Sequence, residues 1–510
     1  MRAAARLGQY AARSIGLTAP PHAAKPAHML DVRPVGYVIG LLIAALGATM
    51  LVPMVLDFAL SDGNWNGFLQ AALVSVLSGG LMALACANGV RKGLTIEQTF
   101  LLTTGVWAAL PVFGALPFLL GAPGAGWTDA YFEAMSGLTT TGSTVFSGLD
   151  DLPRGTLLWR SMLQWFGGIG IIVVAMAFLP ELRVGGMQIF KSEAFDTFGK
   201  ILPRAAEIAS RISAIYMFLT VACFIAYRLS GLGSFDALNH ALTTIATGGF
   251  STGDASFGAY RGAPEYVAAA FMLLAALPFV RYVQLLSGQS APLWRDAQVR
   301  GMFRVMLALV LVLVLYRVAS NGDALAPALR EVIFNLTSIL TGTGYASTDY
   351  QLWGALPVAL FFFAGLIGGC AGSTACSIKI FRYQVFLSAL RVQIRMINSP
   401  RGIFTPRYDG RPVDHDVLSS VMSFFMLFSL TLGVLAVLLS MTGLDFITSV
   451  SGAATALANI GPGLGAEIGP AGNFAGLNDA AKWILTAAML IGRLEIITVY
   501  VLFTVRFWRR

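Results

Sequence analysis

Ten long apolar segments recur along the chain, and they limit its fold more than any other feature. They cover residues 36–57, 67–90, 99–120, 157–180, 208–229, 264–286, 302–319, 353–378, 417–441 and 481–505. Most are long enough to cross a hydrocarbon core of about 30 Å as a helix. Only 12% of the residues are charged, whereas a soluble chain carries about twice that share. The sequence therefore predicts an all-α, multi-pass integral membrane protein.

Shorter apolar pieces lie between the paired segments from the third onward. They read AYFEAMSGLTTTGST, SFDALNHALTTIATGGFST, EVIFNLTSILTGTGYAST and ITSVSGAATALANIGPGLG. Aligned on the glycine after each polar stretch, they give Gly142, Gly249, Gly344 and Gly461, spaced by 107, 95 and 117 residues. Repetition at this spacing predicts four copies of one unit, in which a half-span lies between two full spans.

The repeats divide the chain into six predicted parts. Residues 1–35 form a basic cytoplasmic arm, which lacks the apolar core of a secretory signal peptide. Residues 36–92 form an extra N-terminal pair of transmembrane helices. Four pore repeats follow over residues 93–200, 201–300, 301–411 and 412–510, the third of which contains an intramembrane gate loop.

The distribution of basic residues predicts the orientation, because Lys and Arg accumulate in short cytoplasmic loops. With the amino terminus inside, the inner segments hold Arg91, Lys92, Arg183, Lys191, Lys200, Arg204, Arg211, Arg281, Arg295, Arg300, Arg304 and seven more between Lys379 and Arg411. The outer connections hold Arg154, Arg261 and Arg330, with Arg160 and Lys482 at span edges. Both termini are therefore predicted to be cytoplasmic, with all four half-spans entering from outside. Arg228 and Arg317, at outer span ends, are expected only to snorkel to the interface.

A half-span that turns at a glycine is suited to lining a cavity within the membrane. Non-helical backbone at membrane depth is tolerated only where protein buries it or where it lines a wet cavity. Four such stretches around one axis would share that cavity, and backbone carbonyls from four loops can replace the hydration shell of a potassium ion. The preceding short helices would direct the partial negative charge of their carboxyl ends toward the ion.

The motifs TTTGST, TTIATGGFST, LTGTGY and ANIGPG, together with GGCAGST and GRLEIITVY, resemble the TrkH branch of the Trk/Ktr/HKT superfamily of potassium-translocating proteins. The resemblance covers nearly the whole chain, and the extra N-terminal helix pair also matches that branch. It implies four membrane-pore-membrane repeats around one ion path, in homodimers that bind a cytosolic TrkA-like nucleotide-binding regulatory subunit. Glycine at all four filter positions favours potassium, because a serine at the first position accompanies sodium transport in related plant carriers.

The resemblance also implies two sets of site residues. The selectivity filter, where backbone carbonyls bind the potassium ion, comprises Thr140, Thr141, Gly142, Thr247, Gly248, Gly249, Gly342, Thr343, Gly344, Asn459, Ile460 and Gly461. The gate comprises Gly368, Gly369, Cys370, Ala371, Gly372, Ser373, Thr374 and Arg493. The family's glycine-rich run after the Ser-Thr pair is here Ala375-Cys376-Ser377, which bears on the flexibility of the gate loop.

Both gate elements have structural alternatives. The Gly- and Ser-rich stretch over residues 365–379 is unsuited to a regular helix interior, but Gly365 and Gly369 also form a GxxxG pair suited to close helix packing. Arg493 lies mid-span, where a charge costs about 3 kcal/mol or more and marks a cavity, a partner or a pathway. A structural pair with Glu495 is the alternative, although residues two apart on a helix do not face each other.

Other chemistry is not indicated by the sequence. No intramembrane nucleophile, metal cluster or carboxylate pair suggests an enzyme, and His240 is expected to be a polar residue of a short helix rather than a metal ligand. The four cysteines lack metal-ligand spacing. No cofactor is expected in this chain, no nucleic acid is needed as a partner, and a nucleotide (NAD or ATP/ADP) is expected only on the regulatory subunit.

Two function classes remain open from the sequence. One is a selective potassium pathway in the cytoplasmic (inner) membrane of the cell, gated by the cytosolic partner. The other is an ion-coupled secondary transporter, sodium- or proton-coupled, with a substrate site at the membrane midplane. Symport and pure channel behaviour are not separated by the residues, and the four outer half-spans favour the potassium pathway.

Overall fold

The computed structural model describes residues 30–89, 94–177 and 205–508. Most of the predicted basic arm, the predicted inner-loop cations at residues 91, 92, 183, 191, 200 and 204, and the two C-terminal arginines lie outside the described residues. In the part of the chain that is described, the fold is helical apart from one short hairpin, in which Arg407–Tyr408 pairs antiparallel with Arg411–Pro412. The predicted all-α membrane fold is therefore confirmed.

The extra N-terminal helices pack closely through small residues. They comprise α1 (Arg33–Thr49), α2 (Leu51–Ala59) and α3 (Trp65–Cys86). A Cβ atom at Gly40 would lie 2.7 Å from both the Ala83 nitrogen and the Gly79 oxygen. Glycine and alanine thus let α1 and α3 approach backbone to backbone, as small residues do in membrane helix pairs.

Each of the four repeats contains a short helix between two longer helical segments. Repeat 1 contains α4 (Ile96–Gly114), α5 (Leu116–Leu120), α6 (Trp127–Leu138) and α7 (Arg154–Ala177). Repeat 2 contains α8 (Ala205–Leu229), α9 (Ser234–Ile245), α10 (Ala263–Ala275), α11 (Phe279–Leu286) and α12 (Ala291–Arg295).

The later repeats follow the same order. Repeat 3 contains α13 (Ala297–Ser320), α14 (Leu325–Thr341), α15 (Ala355–Leu366) and α16 (Ile380–Asn398). Repeat 4 contains α17 (His415–Met441), α18 (Phe446–Ala458), α19 (Asp479–Arg493), α20 (Ile496–Leu502) and the terminal turn α21 (Val505–Trp508). We call α6, α9, α14 and α18 the pore helices. At about 1.5 Å per residue they are too short to cross the membrane.

The full spans are less regular than the sequence predicts. Among the described residues, six helices are long and apolar enough to cross a membrane, and two further spans are bent, by 89° between α10 and α11 and by 110° between α19 and α20. The other two predicted spans correspond to α7 and to the segment interrupted after α15. The predicted spans over 264–286 and 481–505 are therefore each interrupted by a sharp bend.

Local backbone chemistry accounts for both bends. Pro278 has no amide hydrogen and disfavours a helical conformation at Leu277, so α10 cannot continue into α11. At the second bend Glu495 has φ of +65°, a left-handed conformation that stops a right-handed helix. The bends leave backbone groups to be satisfied by other parts of the chain.

The outer helices present apolar side chains to the surroundings. On α13, Leu307, Leu311 and Leu315 recur every fourth residue and are 58–70% exposed. Such a stripe suits contact with lipid chains. The core lies inward, where the pore helices and the helices around them bury aromatic residues such as Tyr216, Tyr227 and Tyr345.

The snorkelling expectation was wrong for Arg317. Its side chain is only 8% exposed, it pairs with Asp323 and with Glu331 of α14 at 2.7 Å each, and it lies over the Trp353 ring. Buried cations require such partners. Arg228 is exposed and donates to the Leu232 carbonyl. Arg317 therefore ties the outer end of α13 to the pore helix of repeat 3.

Candidate ion filter and gate

All four pore helices end in the same hydrogen-bonded turn. In each repeat a backbone amide donates to the carbonyl five residues earlier, over 2.8–2.9 Å. The pairs are Thr141 to Ser136, Gly248 to Thr243, Thr343 to Ser338 and Ile460 to Thr455. The residue before each donor is left-handed: Thr140 (φ +53°), Thr247 (+50°), Gly342 (+75°) and Asn459 (+53°). This is the Schellman closure of a helix, which usually has glycine at the left-handed position. The repeats thus share a backbone conformation as well as a sequence pattern.

Threonine at two of these left-handed positions is unusual. A β-branched residue with positive φ is a genuine outlier, and such conformations cost about 1–3 kcal/mol unless the surroundings enforce them. The hydroxyl of Thr247 donates to the Ala246 carbonyl at 2.7 Å, and that of Thr140 lies 3.5 Å from the Cys376 sulfur. The strain lies at the start of the predicted filter segments.

The four aligned glycines come together in a closed ring. A Cβ atom at Gly142 would overlap the Gly248 carbonyl oxygen, and one at Gly249 would overlap the Thr343 carbonyl oxygen. A Cβ at Gly344 would lie 2.7 Å from the Gly461 nitrogen, and one at Gly461 would lie 3.1 Å from the Gly142 oxygen. Each repeat therefore contacts the next one along the chain, and repeat 4 contacts repeat 1.

The fourth glycine differs from the others in conformation. Gly142, Gly249 and Gly344 have φ of +80° to +86°, whereas Gly461 is not among the left-handed residues. Pro462 follows it and favours an extended conformation at the preceding residue. Gly461 therefore does not need glycine for its backbone conformation, and close packing is the remaining constraint there.

Side chains from several repeats hold the filter segments. Ser143 donates to the Gly461 carbonyl at 2.8 Å, and the Asn459 amide donates to the Thr141 hydroxyl at 3.1 Å. Gln164, from α7, donates to the Gly248 carbonyl at 2.6 Å and accepts from the Phe250 amide at 3.0 Å. Sequence reasoning missed Gln164, although an uncharged polar residue within an apolar span was a usable signal.

A buried ion pair lies behind the first two segments. Glu133 of α6 and Arg160 of α7 are 0% and 1% exposed and are 2.8 Å apart. Glu133 accepts from the Thr144 hydroxyl and the Val145 amide, while Arg160 donates to the Ser251 carbonyl at 2.9 Å. Arg160 had been predicted only as a cation at a span edge. The pair instead joins the backbone after filter 1 to the backbone after filter 2.

The ring opens into a polar cavity of about 280 Å³. All four aligned glycines line it, with the loops that follow each filter segment. No group of three or more His, Cys, Asp or Glu side chains suited to a metal occurs in the described ranges. His240 is buried and has as partners the Asp236 carbonyl and the Ser251 hydroxyl, which agrees with a polar pore-helix residue.

The predicted gate residues other than Arg493 lie in a non-helical loop over residues 367–379, which we call the gate loop. The preceding helix ends at Leu366, so Gly365 and Gly369 do not form the helical GxxxG pair that was the alternative. The chain turns back on itself, since the Gly368 amide donates to the Ile378 carbonyl at 2.8 Å. Ser377, in the stretch where the family has glycines, has φ of +63°.

Hydrogen bonds attach the gate loop to the broken ends of other helices. The Cys370 and Thr374 amides donate to the carbonyls of Ala276 and Ala275, at the bend after α10, and the Phe279 amide donates to Gly372. The Ser377 amide donates to the Ala458 carbonyl at the end of α18. The loop thus satisfies carbonyls that the bend and a pore-helix end leave open, as buried backbone at membrane depth requires.

Cys376 lies where three repeats meet. A Cβ at Gly342 would be 2.9 Å from the Cys376 Cβ, and the Thr140 hydroxyl is 3.5 Å from its sulfur. Arg493 of repeat 4 donates to the same sulfur at 2.8 Å. Cys376 lay just beyond the predicted gate set, and the structure places it directly against the beginnings of filter segments 1 and 3.

Arg493 is buried at the carboxyl end of α19. It is 5% exposed, its second terminal nitrogen donates to the Gly167 carbonyl at 3.3 Å, and its guanidinium lies 5.6 Å from the Trp107 ring centre. Glu495, the alternative partner, instead pairs with Arg382 at 2.6 Å. The structure therefore places Arg493 against the gate loop and rules out the local pair with Glu495.

The chain is similar to proteins of known family. Residues 66–509 match the family model TrkH, which is described as a cation transport protein. The chain belongs to the TrkH family. It is similar to the Trk system potassium uptake protein TrkI of Halomonas elongata, with 44% identity over 94% of this chain and 97% of that protein. The Trk system potassium uptake protein TrkH of Salmonella typhimurium is 38% identical over 94% of this chain and its own full length.

A solved TrkH structure supports the same assignment. The crystal structure of the potassium transporter TrkH from Vibrio parahaemolyticus matches with a TM-score of 0.86 and 34% identity, covering 94% of this chain and 100% of that one. The predicted resemblance to the TrkH branch and the assignment to transporters rather than enzymes are confirmed. Domain boundaries and the roles of individual filter and gate residues stay predictions.

Proposed function

We propose that this member of the TrkH family takes up potassium ions across the cytoplasmic membrane through the ring of four filter segments. The supporting observation is that Gly142, Gly249, Gly344 and Gly461 each lie against the filter segment of the next repeat, so that the contacts close into a ring. Four chain segments around one axis can offer carbonyl oxygens in place of water around a desolvated potassium ion. The names of the similar proteins support potassium as the ion.

The pore helices favour a cation at this place. All four end immediately before the ring, so their carboxyl ends, with partial negative charge, are directed toward it. The polar outer cavity would hold the ion in water before it enters the filter. Potassium is the substrate in this proposal, and no resident cofactor is needed.

We further propose that the gate loop and Arg493 keep the pathway closed at rest. The loop is hydrogen-bonded to the pore-helix ends, and Arg493 puts a buried positive charge beside it. Opening would require the loop to leave these positions, under control of a cytosolic nucleotide-binding, TrkA-like subunit. A homodimer in the inner membrane, with both termini in the cytoplasm, completes the proposed arrangement.

Ion uptake tests the proposal directly. We would express the chain in a host that lacks potassium uptake, with and without a regulatory partner, and measure potassium, rubidium and sodium uptake. We expect potassium and rubidium to exceed sodium, and Gly344→Ser to reduce that preference. Gly433→Ser is the matched control, because a Cβ at Gly433, within α17, meets no atom within 4 Å. If the wild type and Gly344→Ser prefer potassium over sodium equally, the filter proposal is wrong.

Secondary transport coupled to sodium or protons remains a second candidate, favoured by the two sharply bent spans. Broken helices form the substrate sites of many coupled transporters. In proteoliposomes, coupling predicts potassium accumulation driven by a sodium or proton gradient alone. A potassium flux that follows only the electrochemical gradient of potassium would exclude coupling and leave the channel-like filter.

A further inference from the structure

A small cavity beside the gate loop has an excess of positive charge. Its volume is about 50 Å³, and four charged side chains line it: Lys379, Arg382, Arg493 and Glu495. The carboxylate of Glu495 lies 2.6 Å from Arg382. In the described ranges 30–89, 94–177 and 205–508, neither Lys379 nor Arg493 has a carboxylate within ion-pair distance. Among the described residues, two cations thus share the cavity with no acidic side chain paired to either.

The contacts of these two cations are neutral groups. Lys379 donates to the Ala375 carbonyl, and Arg493 donates to the Cys376 sulfur and the Gly167 carbonyl. The Nε atom of Arg493 is buried without a hydrogen-bond partner in the described part of the chain. Dipoles offset part of the cost of removing a cation from water, but a buried charge is stable only when it is paired and hydrogen-bonded.

The size of the cavity restricts what could balance this charge. A cavity needs at least about 10–15 Å³ open to a water-sized sphere to hold one water, so this one has room for a few particles of that size. A nucleotide or a lipid headgroup is far too large. A small monovalent anion fits both the volume and the charge, because ammonium and guanidinium groups are hydrogen-bond donors that form charge-assisted bonds to anions.

We propose that this cavity binds one halide-sized anion, chloride in the cell, which bridges Lys379 of the gate loop and Arg493 of α19. The anion lowers the repulsion between the two cations and links the loop to the last long helix. The site borders the gate proposed above, but its occupancy is independent of which ion the filter selects. A binding measurement therefore tests it separately from uptake.

Halide-dependent stability provides the first test. The full-length chain, purified in gluconate, is titrated with sodium bromide or chloride while its thermal unfolding is followed. We expect a saturable rise in melting temperature that equimolar sodium gluconate does not cause. In Lys379→Gln the half-saturating halide concentration should rise at least about tenfold, as expected when one ionic hydrogen bond is lost.

Two variants control for charge and for folding. Arg401→Gln removes one exposed positive charge from the loop before the short hairpin and should keep the wild-type halide response. Lys379→Arg retains the positive charge and should keep most of the halide response. If wild type, Lys379→Gln and Arg401→Gln respond to halide alike, the stabilisation comes from general salt effects and the proposal is wrong.

Anomalous diffraction from crystals grown in bromide locates the anion without any variant. We expect a bromide peak in the cavity, within hydrogen-bonding distance of the Lys379 ammonium and the Arg493 guanidinium. Ordered protein density at both side chains with no bromide peak between them would overturn the proposal, as would a bromide site found only elsewhere on the molecule.

Discussion

Left-handed residues at the start of each filter segment show how individual positions determine this site. Thr140, Thr247 and Asn459 adopt a conformation that normally belongs to glycine, and Gly342 adopts it in the third repeat. Because all four are closed by the same helix-ending hydrogen bonds, the surrounding protein imposes the conformation on different side chains. Strain of this kind is typical of functional sites.

Serine substitutions should affect the four filter glycines unequally. Gly249 has φ of +80° and no room for a Cβ beside the Thr343 carbonyl, whereas Gly461 lacks a left-handed φ and has its nearest contact at 3.1 Å. We expect Gly249→Ser to abolish or strongly reduce the preference for potassium over sodium, and Gly461→Ser to reduce it less. Uptake normalised to membrane protein measures both, and a larger loss at Gly461 would contradict the argument.

The buried pair Glu133–Arg160 should be essential for stability. Glu133→Gln leaves Arg160 as an uncompensated buried charge, and breaking such a pair costs about 3–5 kcal/mol. Thermal unfolding of purified protein should show a large fall in melting temperature, and combining Glu133→Gln with Arg160→Met should restore part of it. The exposed pair Asp31–Arg33 supplies the control, because surface pairs contribute about 0–1 kcal/mol. If Glu133→Gln and Asp31→Asn lower the melting temperature equally, the buried pair is not essential for stability.

Among the helices and loops, the gate loop depends on breaks elsewhere in the chain. Its amides bind carbonyls at the bend between α10 and α11 and at the end of α18, and Arg493 reaches it only because α19 ends at that point. Deleting the loop would leave these carbonyls without donors at membrane depth, so side-chain substitutions are a cleaner probe of its role.

We expect Arg493→Gln to increase potassium flux without the regulatory partner. Removing the buried charge lowers the electrostatic barrier to a cation, and each 1.4 kcal/mol of barrier changes a rate about tenfold. Cys376→Ala removes the sulfur that Arg493 contacts and should act in the same direction with smaller effect. Cys223→Ala, at another buried cysteine in α8, is the matched control. If Arg493→Gln and Cys376→Ala fold well and their potassium flux depends on the regulatory partner as in the wild type, the gate assignment is wrong.

For the protein as assembled in the membrane, the distribution of basic residues predicts cytoplasmic termini. Ala255 lies in the exposed loop after filter 2, and Arg401 lies in the exposed loop between α16 and the short hairpin. With half-buried Cys86 replaced by alanine, Ala255→Cys should react with an impermeant thiol reagent in intact cells. Arg401→Cys should react only after permeabilisation. Labelling of Arg401→Cys from outside would exclude cytoplasmic termini.

The hydrophobic pattern and the four Gly-centred motifs are properties of the sequence alone, and they were enough to predict an all-α membrane fold with four pore repeats. Helix length, apolar content and helix-ending turns depend on residues close together in the chain. For the same reason the sequence located the four turns that meet in the ring, and the family resemblance located the non-helical loop over residues 367–379. Their roles as filter and gate stay predictions.

Contacts between distant segments required the tertiary structure. Examples are the ring from Gly142 to Gly461, the meeting of Arg493 with Cys376, and the ion pair formed by Glu133 and Arg160. A charged residue within an apolar span signals that some partner exists, because an isolated charge there is too costly. The identity of that partner depends on how separate helices pack. Helix packing is determined by side chains that are far apart in the sequence and meet only in the folded protein.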